Sequence, residues 1–212
     1  MIKSLYFCFL AFKSEMNWSI SLQEKYTILK EKESELLASI SERKYFPKGT
    51  LIIKEGKSNN DFYFIEKGFI RGFYIDYWGN ENTIFLPEEN FSFGAPECIL
   101  NGQKHTKYNF EALTDVEVIV FNFNELEKQA SKNQYFFDFY NTTLKNVVFA
   151  FILRLEAFIE ESPEERYVNI DKIRPNLYTL SLRKYLASFL GISPNSLSRI
   201  RKRLGINRRK KK

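Results

Sequence analysis

The spacing of hydrophobic residues changes along the chain, and each change predicts a different kind of element. Between Ser21 and about Glu42, apolar residues recur at roughly helical spacing in a polar background, which predicts an N-terminal helix. After Tyr45, short apolar runs alternate with glycines and favour an antiparallel β-roll or barrel. The predicted strands are Thr50–Ile53, Phe62–Ile65, Phe69–Ile75, Asn82–Leu86, Lys107–Ala112 and Val116–Phe121, with a hairpin turn over residues 77–80.

A helical period returns beyond Asn122. Asn124 is predicted to cap a short helix over Glu125–Ala130, and a long helix follows over residues 133–160. The apolar residues of this long helix are spaced by four and three positions, as in a coiled-coil stripe. They are Phe136, Tyr140, Leu144, Val147, Phe151, Leu155 and Phe158.

The stripe has two interpretations. The helix packs only on its own roll, or it forms the seam of a homodimer. The second interpretation is favoured because Val148, Ile152 and Ile159 widen the stripe and give the helix two apolar surfaces to bury. The predicted dimer seam consists of Tyr140, Leu144, Val147, Phe151, Leu155 and Phe158.

The last quarter of the chain carries the most specific pattern. Ser162, Pro163 and Glu165 form a capping box that begins a new helix. Farther on, Ala187, Gly191 and Leu197 have helix-turn-helix spacing: a small residue where the helices touch, a residue tolerant of positive φ, and an apolar anchor. The remaining core positions are Leu186, Leu190, Ile192 and Ile200. A structural helical hairpin is the alternative.

The second helix of this motif has two distinct faces. Ser193 caps it, Pro194 opens it, and its apolar residues Leu197, Ile200 and Leu204 share one side. The candidate DNA-binding residues are Ser193, Asn195, Ser196, Arg199, Lys202 and Arg203, whose donors and charges suit the major groove. Predicted phosphate contacts are Arg183, Lys184, Arg208 and Arg209. A solvated tail without a specific role is the alternative for the last residues.

The charge distribution supports a polyanion partner. The chain has 32 Lys and Arg against 26 Asp and Glu, a formal charge of +6. Residues 162–212 hold 14 basic and 3 acidic residues, a net charge of +11, which leaves −5 on residues 1–161. A mildly acidic body therefore carries a strongly basic C-terminal quarter.

Composition and motifs argue against other classes. With 212 residues, 44% of them hydrophobic, the chain is long and apolar enough for a folded core. Two cysteines, Cys8 and Cys98, and one histidine, His105, leave no iron–sulfur or multi-histidine metal site. No catalytic motif or certain cofactor signature occurs, so we expect no enzyme.

The N-terminal residues are apolar but carry no complete targeting signal. Residues 5–12 imitate a signal peptide without a cleavage site and are too short to span a bilayer, so we expect a cytoplasmic protein without a membrane partner. Residues 1–20 are expected to be an extension, with Met16 as an alternative start.

The chain resembles the Crp–Fnr family of bacterial transcription regulators. The resemblance rests on Phe46–Gly49, the run Leu51–Gly56, Phe62–Ile65 with the glycines at 68 and 72, and the helix-turn-helix of residues 181–204. It implies an α+β fold: a cyclic-nucleotide-binding-like antiparallel β-roll over residues 21–132, a dimerisation helix over 133–161, and a winged helix-turn-helix domain over 162–212. The usual wing is expected to be truncated.

Family members that bind cyclic AMP use a glycine, a glutamate and an arginine followed by serine or threonine. At the corresponding positions this sequence has Gly94, Ala95, Thr106 and Lys107, so cyclic AMP binding is not expected. An unknown small-molecule effector is left open. Lys107 could meet a phosphate as a point charge, without arginine's fork.

These observations predict a sequence-specific transcription regulator that binds duplex DNA as a homodimer on a palindromic operator, with RNA polymerase as a partner implied by the resemblance. The main alternative is a small-molecule sensor or interaction protein whose basic domain binds RNA or a protein. An enzyme on a cupin-like roll is a more distant alternative, because such sites usually gather several histidines around a metal.

Overall fold

The computed structural model describes residues 38–89, 91–174 and 183–205. The elements of these residues, in chain order, are β1 (Ser41–Phe46), β2 (Leu51–Ile53), β3 (Asp61–Lys67), β4 (Ile70–Ile75), β5 (Glu81–Phe85), β6 (Ser92–Gly94), α1 (Pro96–Asn101), β7 (Asn109–Ala112), β8 (Val116–Asn122), α2 (Phe123–Ala130), α3 (Gln134–Glu160), α4 (Pro163–Ile173), α5 (Arg183–Phe189) and α6 (Pro194–Arg203).

The chain divides into two compact units. The first contains the described residues up to Ile70 and residues 87–138. The second contains residues 71–86 and the described residues from Phe139 onward. Residues 71–86, which hold most of β4 and all of β5, are grouped with the described C-terminal helices in this division.

The first unit is built on an antiparallel sheet of order β1-β8-β3-β6. Strand β8 pairs with β1 on one side and β3 on the other, so Val120 lies opposite both Glu42 and Tyr63. Strands β2 and β7 of this unit pair with each other. Between the strands, the rings of Tyr63, Phe93 and Phe110 stack with centroid distances of 4.7 and 5.3 Å and fill the interior.

The second unit combines the β4–β5 hairpin with helices. Phe73 pairs with Thr83, and residues 77–80 make the turn that the sequence predicted. The helical core of this unit is a buried cluster around α4, α5 and α6: Tyr167, Leu186, Ala187, Leu190, Leu197 and Ile200. The five members of this cluster in α5, α6 and the turn are those that the helix-turn-helix spacing predicted to be apolar core.

The sequence predicted the strands to within a few residues but missed two of them. Strand β1 begins at Ser41, so the predicted N-terminal helix does not extend to Glu42. Its residues are mostly exposed and show no apolar alternation; pairing with β8 makes them a strand. The rest of that predicted helix, residues 21–37, lies outside the described residues, as do the predicted extension 1–20 and the tail.

The cap of α2 also differs from the prediction. Asn122, and not Asn124, is the N-cap: its side chain accepts a hydrogen bond from the Glu125 N–H at 3.2 Å. Asn122 ends β8 with extended backbone, which is the conformation that an N-cap requires. Phe123 then becomes the first helical residue and is buried.

Candidate nucleic-acid interface

Helices α5 and α6 are joined by a tight turn at Gly191. This glycine has φ +72°, a left-handed conformation that other residues rarely adopt. The Ile192 N–H bonds the Ala187 carbonyl, and the Gly191 N–H bonds the Ser188 carbonyl, both at 3.0 Å. This pair of bonds is the Schellman arrangement that ends a helix and turns the chain.

Helix α6 begins at the residue that the sequence predicted. Ser193 has extended backbone, its Oγ accepts the Ser196 N–H at 3.1 Å, and Pro194 opens the helix. The two hydroxyls also bond each other at 2.9 Å, and Arg199 donates to Ser196 Oγ at 3.3 Å. One hydrogen-bonded row, Ser193–Ser196–Arg199, therefore runs along the first turns of α6 and orients the Arg199 guanidinium.

The faces of α6 separate as the sequence predicted. Leu197 and Ile200 are buried against α4 and α5. The candidate DNA-binding residues lie on the other side: Ser193, Asn195, Arg199, Lys202 and Arg203 are exposed, and Ser196 is half-buried. We call this surface the polar face of α6. Arg203 is paired with the Glu164 carboxylate of α4, a contact that the sequence did not predict.

The first turn of α5 carries two further candidate phosphate contacts. Arg183 and Lys184 are exposed, and the Lys184 Nζ lies 4.6 Å from the Tyr185 ring centroid. The other two candidates, Arg208 and Arg209, lie outside the described residues. Exposed cations therefore lie both on α6 and in the first turn of α5.

A buried arginine in the β4–β5 hairpin contacts α5, and the sequence did not predict it. Arg71 is 1% exposed, and its guanidinium carbon lies 4.0 Å from the Phe73 ring and 3.9 Å from the Tyr185 ring. Its Nε donates to Thr83 Oγ1 at 3.0 Å, and its Nη1 pairs with Glu81 at 2.8 Å. Stacking on two rings lets a planar guanidinium be buried while it keeps its hydrogen bonds.

Strand β5 adds direct bonds to the same helix. The Thr83 N–H donates to Ser188 Oγ at 2.9 Å, and that hydroxyl donates to the Glu81 carbonyl at 3.4 Å. Because Thr83 is buried, its N–H needs this partner. The hairpin therefore contacts α5 at Tyr185 and at Ser188.

The predicted dimer seam on α3 is exposed in part. Leu144 is partly exposed and Phe151, Leu155 and Phe158 are exposed, while the side chains of Tyr140 and Val147 lie outside the description. Two seam residues also contact their own chain: Phe151 meets Phe85 edge to face at 5.5 Å, and Phe158 lies against Gly191.

Among the described side chains of α3, the most exposed apolar ones form a neighbouring stripe. Their spacings are four, three and four residues, and their exposed fractions range from 46 to 75%: Val148, Ile152, Leu155 and Ile159. We call this set the α3 stripe. It contains Leu155 of the predicted seam and the three residues that the sequence used to argue for a second apolar surface.

The predicted effector pocket lies around α1, in the first unit. Thr106 is buried and its hydroxyl donates to the Glu97 carboxylate at 3.0 Å, while the Lys107 N–H approaches the same carboxylate at 3.4 Å. Ala95 is fully buried. The Ile99 side chain packs against Gly94 and leaves no room for a Cβ atom there. The donors at residues 106 and 107 therefore meet a carboxylate of the chain itself.

Two further features concern other kinds of site. Among residues 38–89, 91–174 and 183–205, no group of three or more His, Cys, Asp or Glu side chains is arranged to hold a metal ion. No helix in the same ranges combines the length and apolar character needed to cross a bilayer.

A known domain family matches part of the chain. Residues 43–133 match the family described as Cyclic nucleotide-binding domain. No curated protein sequence matches the chain.

Solved structures resemble the chain over most of its length. FixK2 from Bradyrhizobium japonicum has 16% identity and a TM-score of 0.65, covering 79% of this chain and 85% of its own. A protein assigned to the transcriptional regulators of the Crp/Fnr family from Eubacterium rectale has 14% identity and a TM-score of 0.65, with coverages of 85% and 86%. The Catabolite Activator Protein of Thermus thermophilus has 20% identity and a TM-score of 0.50, with both coverages at 84%.

These structural likenesses test the resemblance to Crp–Fnr regulators that the sequence predicted. Identities of this size establish similarity of fold. The resemblance is confirmed at that level: residues 43–133 match the cyclic nucleotide-binding domains, and the chain has the fold of the Crp–Fnr regulators.

Proposed function

We propose that this chain is a sequence-specific DNA-binding transcription regulator of the Crp–Fnr type, a homodimer that binds a palindromic operator. The observation that carries the proposal is the α5–α6 pair. Its buried core and Gly191 turn support a helix-turn-helix, and its second helix has an exposed polar and cationic side. The fold shared with Crp–Fnr regulators supports the same conclusion.

The chemistry of the polar face of α6 suits the edges of base pairs. Arginine reads guanine with two parallel hydrogen bonds, and asparagine can read adenine in the same way. Arg199 is exposed and hydrogen-bonded to Ser196, so it starts from an ordered position. We assign base contacts to Arg199 and Asn195, with Ser196 as their neighbour on the helix.

The remaining cations would hold the DNA backbone. Arg183 and Lys184 on α5, Lys202 on α6 and the tail residues Arg208 and Arg209 are assigned to phosphates. The net charge of +11 on residues 162–212 supports this assignment, because neutralising phosphates releases counterions and favours binding. Arg203 would have to exchange Glu164 for a phosphate, so we expect it to contribute less.

A second copy of the chain is assigned to the α3 stripe. Four apolar side chains at coiled-coil spacing face solvent in one copy and would be buried between two parallel helices. A dimer with two-fold symmetry places two recognition helices about 34 Å apart, one turn of B-DNA. The expected operator is therefore an inverted repeat. RNA polymerase is a further proposed partner, by family resemblance alone.

The effector is left unassigned, and cyclic AMP is not proposed as one. In the predicted pocket, the Glu97 carboxylate accepts hydrogen bonds from the Thr106 hydroxyl and the Lys107 N–H. A cyclic phosphate at this position would meet like charge. This contact supports the sequence-based expectation.

DNA-binding selection on the purified full chain tests the proposal. A randomised duplex library is bound, recovered and sequenced, and we expect an inverted repeat with half-sites about one helical turn apart. Recovery of no preferred duplex sequence would contradict the proposal. The same protein is offered single-stranded RNA in competition, because tighter binding to RNA would favour the alternative of a basic RNA-binding domain.

A further inference from the structure

Two arginines from other helices donate hydrogen bonds to backbone carbonyls at the C-terminal end of α5. The last four carbonyls of a helix have no partner within it. In α5, the turn provides N–H donors for the Ala187 and Ser188 carbonyls. The next two carbonyls receive side chains: Arg154 of α3 donates to Phe189 O at 2.8 Å, and Arg166 of α4 donates to Leu190 O at 3.3 Å.

The same arginines stack with aromatic rings into a continuous ladder. The Arg154 guanidinium carbon lies 3.7 Å from the Phe189 ring centroid and 5.0 Å from that of Phe158. The Arg166 guanidinium carbon lies 4.6 Å from the Phe158 centroid. The order Phe189, Arg154, Phe158, Arg166 thus connects α5, α3 and α4. We call these four residues the arginine ladder.

The ladder also touches the turn that leads into α6. The Phe158 ring lies so close to Gly191 that a Cβ at that position would sit 2.7 Å from Cε1. Helix α3 therefore contacts the last residue of α5 through Arg154 and the turn through Phe158.

The chemistry of the ladder requires arginine. A guanidinium is planar, stacks on rings with both faces and donates from its edge, whereas a lysine ammonium is a point charge without such faces. Burial, together with Arg166 and Arg174, lowers the pKa of Arg154 to about 10, so its charge persists at neutral pH. A cation at a helix C-terminus also meets the negative end of the helix dipole.

We propose that Arg154 is a positioning residue: with Phe158 it attaches the end of α5 and the turn to α3, and so sets the orientation of the polar face of α6 relative to the helix that carries the α3 stripe. This inference rests on the proposed function in one respect, because the use of that orientation is to match two recognition helices to two half-sites. The orientation of α6 relative to α3 is a property of one chain, so it can be measured without DNA and without a dimer.

The first experiment needs neither DNA nor a dimer. Nitroxide labels are placed at Glu156→Cys on α3 and Ser198→Cys on α6, both exposed, in a chain with Cys8→Ser and Cys98→Ala. Labelled chains are diluted with unlabelled ones, and electron–electron resonance gives the distance distribution within one chain. We expect a narrow distribution that broadens in Arg154→Lys and does not change in Arg43→Lys, an exposed arginine of β1.

An Arg154→Lys distribution as narrow as that of the parent, at the same mean distance, would overturn the proposal. Circular dichroism and thermal unfolding are measured on the same samples. If Arg154→Lys fails to fold, Phe158→Leu replaces it, because it removes the ring from the ladder and keeps an apolar side chain. The same broadening is expected from it, and its absence would overturn the proposal equally.

The second experiment measures the consequence for DNA. The selected operator is compared with a single half-site and with operators whose half-sites are moved apart by one or two base pairs. We expect Arg154→Lys to lower affinity for the full operator about ten- to a hundredfold, because simultaneous engagement is lost, and to flatten the spacing preference. Half-site affinity should stay within about twofold of the parent, since the reading residues are untouched.

The two experiments separate the inference from the proposed function. If the parent chain binds no DNA, the proposed function fails while the distance measurement still decides the role of Arg154. If Arg154→Lys loses half-site and full-operator affinity to the same extent, the residue only maintains the helix pair, and the positioning role is overturned.

Discussion

The ring of Phe158 lies directly against the backbone of Gly191, so close that a Cβ atom on the glycine would be 2.7 Å from Cε1 of the ring. Gly191 also has φ +72°. Two independent conditions therefore require glycine at this turn: a left-handed backbone and the absence of a side chain facing α3. The apolar spacing of the long helix predicted Phe158 as part of a dimer seam, and in one copy its ring contacts Gly191 of its own chain.

We expect Gly191→Ala to destabilise the second unit more than the backbone conformation alone explains. Gly102 is the matched control, because it also ends a helix with positive φ (+61°) but has no atom within 4 Å of an added Cβ. Gly102→Ala should cost about 1–2 kcal/mol for the left-handed conformation. Equal losses for both variants in urea unfolding would contradict the role of the Phe158 contact.

Arg199→Ala should weaken operator binding by about 1–3 kcal/mol and relax the preference at one base position. The exposed place of Arg199 and its bond to Ser196 motivate the assignment. Arg183→Ala is the matched control, since loss of a phosphate contact should weaken binding to all sequences and reduce the salt slope by about one. Unchanged binding of Arg199→Ala across a randomised operator library would refute the assignment.

Leu155→Glu should convert the proposed dimer to a monomer without unfolding the chain, because Leu155 is 61% exposed in one copy. A charge at the α3 stripe would be buried without a partner in the dimer. Leu100→Glu is the control: this leucine of α1 is 59% exposed and lies off the stripe. Sedimentation equilibrium measures the mass, and a dimer of unchanged dissociation constant in Leu155→Glu would exclude this seam.

Cyclic AMP should show no saturable binding to the full chain in calorimetry. The Glu97 carboxylate already bonds the Thr106 hydroxyl, and Ile99 lies against Gly94. Glu97→Gln tests the charge, since the amide removes the negative charge and keeps the size of the side chain. Saturable binding to the parent chain at micromolar nucleotide would contradict the prediction, whatever Glu97→Gln does.

Stability should fall as the pH rises above 10, in part through Tyr63. Burial is the main cause that raises the pKa of this phenol from 10.0 to about 12, and the nearby Asp61 carboxylate adds to it. The hydrogen bond from Asn59 opposes the shift. The folded state therefore holds the proton that the unfolded chain loses, so the contribution of Tyr63 is complete below pH 10 and is lost as pH approaches 12. Urea unfolding from pH 9 to 12 measures it, and an identical pH dependence in Tyr63→Phe would contradict it.

Local signals explain which parts of the candidate interface were predictable. Ser193, Pro194 and Gly191 act through their own backbone and immediate neighbours, and Leu197 and Ile200 follow the helical period. Each of these requirements lies within a few residues of sequence, so the helix boundaries and the buried face of α6 were predicted correctly.

Other residues act through partners that are distant in sequence. Strand β1 is polar and becomes a strand only by pairing with β8. Arg71 reaches Tyr185, and Arg154 reaches Phe189. The position of an arginine along the sequence does not distinguish a cation for phosphate from one stacked between rings, because the partners that decide its role are distant in sequence.

The order of amino acids was enough to predict the helix pair, its cap and turn, the face of α6 that meets solvent, and the concentration of positive charge in the last quarter of the chain. These depend on periodicity, backbone preference and composition, which are local or additive properties. The folded chain was needed to show which arginines are buried, that residues 71–86 group with the C-terminal helices, and that Glu97 meets the donors of the predicted pocket. Those outcomes depend on which surfaces meet when the chain folds, because a cation or carboxylate takes its role from the partner it finds there.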